Sequence, residues 1–161
     1  QGDWSSDVCS SDLLAYGTVK GYEQDGRTVA PITHYAGLFE RADAKKSTPP
    51  FALPQRWVKA RADLEADDAF LRTPFNFVST ADIIGGNSGS PVLNSKGELI
   101  GINFDRIWEG VMSDLYYDVN YSRNVAVDIR YVLFIIDKLG QADRLLNEMD
   151  IKWKKTNHNK N

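Results

Sequence analysis

The chain has 161 residues, a net charge of −3, 42% hydrophobic and 25% charged side chains. That is about one domain's worth of polypeptide with enough apolar residues for a core, and nothing basic beyond the short "KWKK" to suit nucleic acid as a partner. No apolar run approaches the roughly 18 residues of a membrane span, and Cys9, the single cysteine, has no disulfide partner within the chain.

The first stretch, "SSDVCSSDL" (Ser5 to Leu13), has neither helical nor strand periodicity and lacks the basic start and apolar middle of a signal peptide. It resembles a sequencing adapter translated in frame, since GAC GTG TGC TCT TCC GAT CT encodes Asp-Val-Cys-Ser-Ser-Asp and the start of Leu. Residues 1–13 are therefore set apart as an unstructured artefact, with Cys9 among them. An independently sequenced copy of the gene is expected to lack them. Residues 14–150 form the domain proper, and 151–161 a polar tail.

"LLAYGTVKGYEQDGRTVAPITHYAGLFERA" predicts short strands broken at Gly17, Gly21 and the turn Asp25-Gly26. "DAKKSTPPFALPQ" is a proline-rich loop, and "QRWVKARADLEADDAFL" a surface helix with loosely spaced Trp57, Leu64 and Phe70. "FNFVST" alternates as a strand buried on one face should. "PVL" and "ELIGINF", joined by the turn "NSKG", predict a hairpin from Pro91 to Phe104. "DRIWEGVMSD" is an irregular loop and "NVAV" another strand. Asp128 is a candidate N-cap for a helix with Ile129, Val132, Leu133 and Ile136 on one face. Gly140 closes that helix, and "QADRLLNEM" continues as a second one. The fold class is thus mostly β with closing C-terminal helices.

Between two of these strands lies "GGNSGSPV" (Gly85 to Val92), longer than a hairpin connection needs. An α/β-hydrolase elbow would require G-x-S-x-G leading into a helix; here Ser90 takes the fifth position and a strand follows. The remaining reading is a trypsin-like loop with Ser88 as nucleophile, in which the backbone N–H groups of Gly86 and Ser88 form the oxyanion hole. Such a serine needs a base and a group to orient it. The chain's two histidines do not fit: His34 sits in the strand-like "PITHY" and His158 in the polar tail.

Two residues compete to set specificity. Asp82 lies six positions before Ser88, the spacing of the specificity aspartate in trypsin, and read alone predicts cleavage after Lys or Arg. Arg106 lies at the end of the strand "ELIGINF" and read alone predicts cleavage after Asp or Glu, because a guanidinium fork pairs a carboxylate bidentately.

"FVSTADIIGGNSGSPVLNSKGELIGINFDRIWEG", with "SDLYYDV" and "VDIRYVLFIIDK", resembles the C-terminal part of the dipeptidyl-peptidase 7/11 family; "AYGTVKGY" and "AGLFE" extend the likeness over about Leu14 to Asp150. The resemblance implies a bacterial serine exopeptidase with a chymotrypsin-like double β-barrel, of which this chain is the C-terminal part, with the triad histidine and aspartate far upstream. It implies that Arg106 of "FDR" reads an acidic side chain, where the type 7 branch carries glycine. By the same resemblance Asp105 holds the substrate's free amino group and Phe104 belongs to the substrate site. Asp82 then reverts to a loop-stabilising carboxylate. The expected substrates are peptides with Asp or Glu before the cut bond, handled without metal or cofactor. The resemblance further implies the periplasm or surface of a Gram-negative bacterium, and allows a homodimer of the full-length parent. The alternatives are an endopeptidase of the high-temperature-requirement type, which also uses Gly-Asn-Ser-Gly, and a non-catalytic domain that binds peptide ends.

Overall fold

The computed structural model describes residues 14–152; the leader (1–13) and 153–161, with His158, lie outside the described residues. Its frame is an antiparallel sheet. Chain order begins with a small hairpin of β1 (Tyr22–Gln24) and β2 (Arg27–Val29). Asp25 and Gly26 close it at φ +50° and +72°, the two positive φ values that a two-residue turn matching strand twist requires. β3 (Ile32–His34), β4 (Pro74–Ser79), β5 (Pro91–Leu93), β6 (Leu99–Arg106) and β7 (Asn124–Asp128) form a second sheet in the order β3-β4-β7-β6-β5. These five strands make an open sheet: the chain is sheet-rich as expected, but no barrel closes among the described residues, so the expected C-terminal part of a double β-barrel is not seen as a closed barrel.

The stretch after β3 corrects the sequence reading. Strands are expected through Ala42, but the chain enters helix α1 (Tyr35–Ala44), with Tyr35, Phe39 and Ala42 buried. Those three positions have the i, i+4, i+7 spacing of one helical face, and the helical period prevails over the strand-like composition before it. The predicted surface helix is likewise two elements, α2 (Gln55–Glu65) and α3 (Asp68–Leu71). Asp67 divides them, its carboxylate accepting from the N–H groups of Ala69 and Phe70 at 3.0 and 3.1 Å, as an N-cap does. Trp57 of α2 is buried. Arg61 joins α2 to α1 through a fork onto both oxygens of Asp43 at 2.8 and 2.6 Å. These hydrogen bonds hold the Asp43 carboxyl below its ordinary range.

The closing helix follows its prediction at the start. Asp128 caps α4 (Ile129–Phe134) by accepting from the Arg130 N–H at 2.9 Å. A π-helical turn, Ile135–Leu139, then ends at Gly140, and α5 (Asp143–Asn147) follows. Gly140 itself stays at φ −88°; the left-handed residue is Gln141 at +50°. Glycine suits position 140 because a Cβ would stand 3.0 Å from the carbonyl oxygens of both Ile135 and Ile136.

Helices and sheet meet in an aromatic core. Tyr35 is fully buried and touches Trp57, Phe70, Phe75, Tyr131 and Phe134, with centroid separations of 4.3 Å to Phe70 and 5.5 Å, edge-on, to Phe75. Such pairs each contribute about 0.5–1.5 kcal/mol beyond area burial. The Tyr35 hydroxyl has no hydrogen-bond partner among the described residues, and burial, ahead of the charges of Tyr131 and Asp128, pushes its pKa well above the ordinary phenol value. A buried hydroxyl without a partner costs about 1–3 kcal/mol. Tyr35→Phe should therefore keep or raise the melting temperature, whereas Tyr35→Ala should cost about 3–5 kcal/mol. A drop of several degrees for Tyr35→Phe in thermal unfolding would contradict this account.

Candidate active site

The loop between β4 and β5 carries the serine, and two strands behind it fix its shape. Gly86 and Gly89 take φ values of +97° and +90°, a region that side chains disfavour, so glycines at both places let the chain fold back on each side of Asn87 and Ser88. The Asn87 side chain accepts from the Ile84 N–H at 2.8 Å, and its own N–H donates to the Ile84 carbonyl at 3.2 Å. Ser90 N–H donates to the Asn87 carbonyl at 3.0 Å, and Gly89 N–H to the Asn103 carbonyl at 2.8 Å. In contrast, the N–H groups of Gly86 and Ser88 engage no acceptor among the described residues. Ser88 is exposed, and its Oγ donates to the Phe104 carbonyl at 3.1 Å. An accessible hydroxyl in a loop with two such amides suits acyl transfer through an oxyanion.

Strand β6 shapes the other wall. Its register with β7 shifts between Asn103, which pairs with Ala126, and Asp105, which pairs with Val125; Arg106 then pairs with Asn124. Phe104 is the extra residue of this bulge, and bulges re-aim side chains. Paired residues share a face, so Arg106 lies in one row with Asn124 and with Ser79, the β4 partner of Asn124. Without the extra residue Arg106 would fall on the face opposite Asn103. Phe104 is 45% exposed. Asp105 accepts from the Arg106 N–H at 2.8 Å.

The other expected residues lie elsewhere. Asp82 is exposed, and its charge acts on Tyr117, whose phenol is pushed above its ordinary value by burial first and by Asp82 second. The Tyr117 hydroxyl donates to the Thr80 carbonyl, so the Asp82 end of the loop is braced against the segment after β6. His34 pairs with Pro74 at the start of β4, while Ser79 closes the strand's other end. At about 3.3 Å per residue along β4 and about 4.8 Å per strand across to β6, the imidazole is remote from Ser88. Glu109 accepts from the Gln24 amide at 2.7 Å.

The sequence reading did not single out the asparagines behind the loop. Asn103 and Asn124 are buried, with Ser79 beside them. Ser79 Oγ donates to Asn124 Oδ1 at 2.6 Å, Asn124 Nδ2 to Asn103 Oδ1 at 3.0 Å, and Asn103 Nδ2 to the Asn87 carbonyl at 3.3 Å. The available signal was asparagine inside "GINF" and "NVAV", because strand interiors disfavour it.

Arg123 holds the segment that borders the site. It is 2% exposed, and its guanidinium donates to the carbonyls of Lys20, Gly21, Val119 and Ser122 at 2.6 to 3.1 Å. It thereby ties the strand entering β1 to the apolar arch between β6 and β7, where Trp108 opens a 3₁₀ turn (Trp108–Asp114). A single ammonium cannot reproduce that fork. Arg123→Lys should cost about 1–3 kcal/mol by leaving buried carbonyls without donors; an unchanged midpoint in chemical denaturation would refute the clamp.

A serine loop of this form on an antiparallel sheet suits acyl transfer, and comparison with known proteins gives the family. The profile of the family described as Peptidase S46 matches residues 3–151, and the chain belongs to that family. It is 45% identical to the Asp/Glu-specific dipeptidyl-peptidase of Porphyromonas gingivalis over 86% of this chain and 19% of that protein. It is 46% identical to dipeptidyl-peptidase 7 of Phocaeicola vulgatus over the same shares, 86% and 19%. Among solved structures it superimposes on DPP11 of Porphyromonas endodontalis in complex with the dipeptide Arg-Glu, with a TM-score of 0.76 and 37% identity, covering 86% of this chain and 20% of that one. The same enzyme with the dipeptide Arg-Asp gives a TM-score of 0.74 and 36% identity, with coverage of 86% and 20%. The chain spans about a fifth of the length of these relatives. Membership in this family removes the high-temperature-requirement alternative.

Proposed function

We propose that this chain is the nucleophile-bearing part of a serine dipeptidyl-peptidase that releases N-terminal dipeptides ending in Asp or Glu. The observation that carries the reading is the exposed Ser88 hydroxyl in a loop where the N–H groups of Gly86 and Ser88 engage no acceptor among the described residues. In the reaction Ser88 Oγ leaves the Phe104 carbonyl, gives its proton to a histidine elsewhere in the parent protein, and attacks the carbonyl carbon of the second substrate residue. The oxyanion that forms takes hydrogen bonds from Gly86 and Ser88. The histidine then protonates the departing amine, and water cleaves the acyl-enzyme.

Arg106 is the acid reader in this proposal and Asp105 the anchor for the free amino group. An exopeptidase has to hold an ammonium at a fixed distance from the cut bond, and a carboxylate next to the acid reader supplies that charge. Similarity to relatives of both names, Asp/Glu-specific dipeptidyl-peptidase and dipeptidyl-peptidase 7, leaves the branch open. Arg106 favours the acidic one, because the family resemblance places glycine there in the type 7 branch. Phe104, half-exposed on the bulge, flanks the bound dipeptide. No helix among the described residues is long and apolar enough to cross a membrane, and the periplasm or cell surface is the proposed setting.

In the full-length parent, Arg106→Gly should lower kcat/KM for Leu-Asp and Leu-Glu reporters. Truncating one partner of a shielded charge pair costs about 2–5 kcal/mol, or roughly 30- to several-thousand-fold. Apolar second residues should gain relative to acidic ones, and Asp105→Ala should weaken all dipeptide reporters alike. If Arg106→Gly kept the acidic preference while Asp82→Ala altered specificity, the trypsin-style pocket would be right instead. The 161-residue chain by itself should release no measurable dipeptide, since His34 is remote from Ser88; hydrolysis of a Leu-Asp reporter that Ser88→Ala abolished would make His34 the candidate base.

A further inference from the structure

Four buried or half-buried polar groups run in a line from β4 to the back of the serine loop. Their donor directions are fixed from one end. The Ser79 backbone N–H can only donate, and it reaches Asn124 Oδ1 at 3.1 Å. Asn124 must therefore turn its Nδ2 toward Asn103, at 3.0 Å from Oδ1. Asn103 in turn points Nδ2 at the Asn87 carbonyl, 3.3 Å away, which can only accept. The chain is satisfied at every link with a single polarity. Asn103 and Asn124 are 2% and 3% exposed, so water does not compete for these bonds.

The Asn87 carbonyl belongs to the same peptide unit as the Ser88 N–H. That unit is planar and trans, so its carbonyl and its N–H point in opposite directions. Holding the oxygen from behind therefore aims the N–H forward. Two donors hold it, Asn103 Nδ2 and the Ser90 N–H at 3.0 Å. Asn103 also fixes the next peptide units through its backbone, accepting from Gly89 N–H at 2.8 Å and donating to the Ser90 carbonyl at 2.9 Å. Hydrogen bonds to a peptide oxygen polarise the unit and strengthen its N–H as a donor.

We infer that Asn103, oriented by Asn124 and Ser79, is a positioning residue that aims and polarises the Ser88 N–H as an oxyanion donor. The inference rests on the reading of Ser88 as nucleophile. It predicts a defect confined to the transition state, because the ground-state dipeptide is held by other groups. Asn103→Asp keeps the size and the acceptor for Asn124 but replaces the donor to the Asn87 carbonyl with an oxygen.

The test uses the full-length parent, with Leu-Asp reporter hydrolysis, inhibition by the Leu-Asp aldehyde as a tetrahedral-adduct probe, and inhibition by the product Leu-Asp. Loss of an oxyanion donor costs about 10²–10³ in kcat; a mis-aimed donor in Asn103→Asp should cost about 10- to 100-fold, with KM little changed. Aldehyde affinity should fall by the same factor and Leu-Asp affinity should hold. Asn124→Asp, which loses the donor to Asn103 Oδ1 but keeps the acceptor for Ser79, should show a smaller loss of the same kind. Unchanged kcat and aldehyde affinity in a folded variant would overturn the inference, as would equal losses of aldehyde and product affinity. Failure of both variants to fold, judged by thermal melting, would make the relay purely structural and also overturn it. Ser88→Ala in the same parent separates the two levels: retained activity there removes the nucleophile reading itself, whereas an inactive Ser88→Ala beside a fully active Asn103→Asp removes only the role of Asn103.

Discussion

The extra residue in β6 constrains the site from both sides, because a bulge changes which way every residue beyond it faces while leaving those before it untouched. Before Phe104, Asn103 keeps its place opposite Ala126 and braces the serine loop. After it, Arg106 is turned into the row of Asn124 and Ser79. At the bulge itself the Phe104 carbonyl receives the Ser88 hydroxyl. A regular strand could supply the brace or the arginine on this face, but not both at a separation of three residues.

The bulge can act this way only on a sheet that does not yield. β4 connects the two halves of the molecule: Phe75 enters the aromatic core around Tyr35, Phe77 packs beneath the strand pair, and Ser79 starts the amide line toward the loop. All three lie on one face at the period of two. Gly101 shows how close the packing is, since a Cβ there would stand 2.7 Å from both the Phe77 ring and the Val127 carbonyl. Core packing and site geometry are thus parts of the same strand face.

Features with short-range causes were legible in the sequence. The hairpin of β5 and β6, the strands β4 and β7, the Asp128 cap and the serine loop follow from alternation, turn residues and capping chemistry, all within a few residues of each other. The misreadings have longer-range causes. Helix α1 was obscured because its apolar spacing continues a strand-like composition, and burial of Tyr35 by four other elements decides the matter. The loose spacing of Trp57, Leu64 and Phe70 hid the break at Asp67, while Trp57 packs against Phe39 and Phe134. The amide relay joins Ser79, Asn87, Asn103 and Asn124, which come together only after strand registers are set. The bulge belongs to the same class, because nothing in "GINFDR" marks which residue is extra.

In the proposed reading, overall similarity and specificity rest on different parts of this chain. The chain is about equally identical to an Asp/Glu-specific enzyme, 45%, and to a dipeptidyl-peptidase 7, 46%, so overall identity does not separate the two kinds. A distinction between acidic and apolar side chains needs only the sign of charge in a small, shielded space. In the proposed reading the Arg106 guanidinium supplies that, since a desolvated charge outweighs many small differences in packing. Arg106 stands just past the bulge, while the bonds of the relay run through Ser79, Asn124, Asn103 and the Asn87 carbonyl. On that reading the scaffold keeps the proposed acyl-transfer geometry while the residue it reads is exchanged.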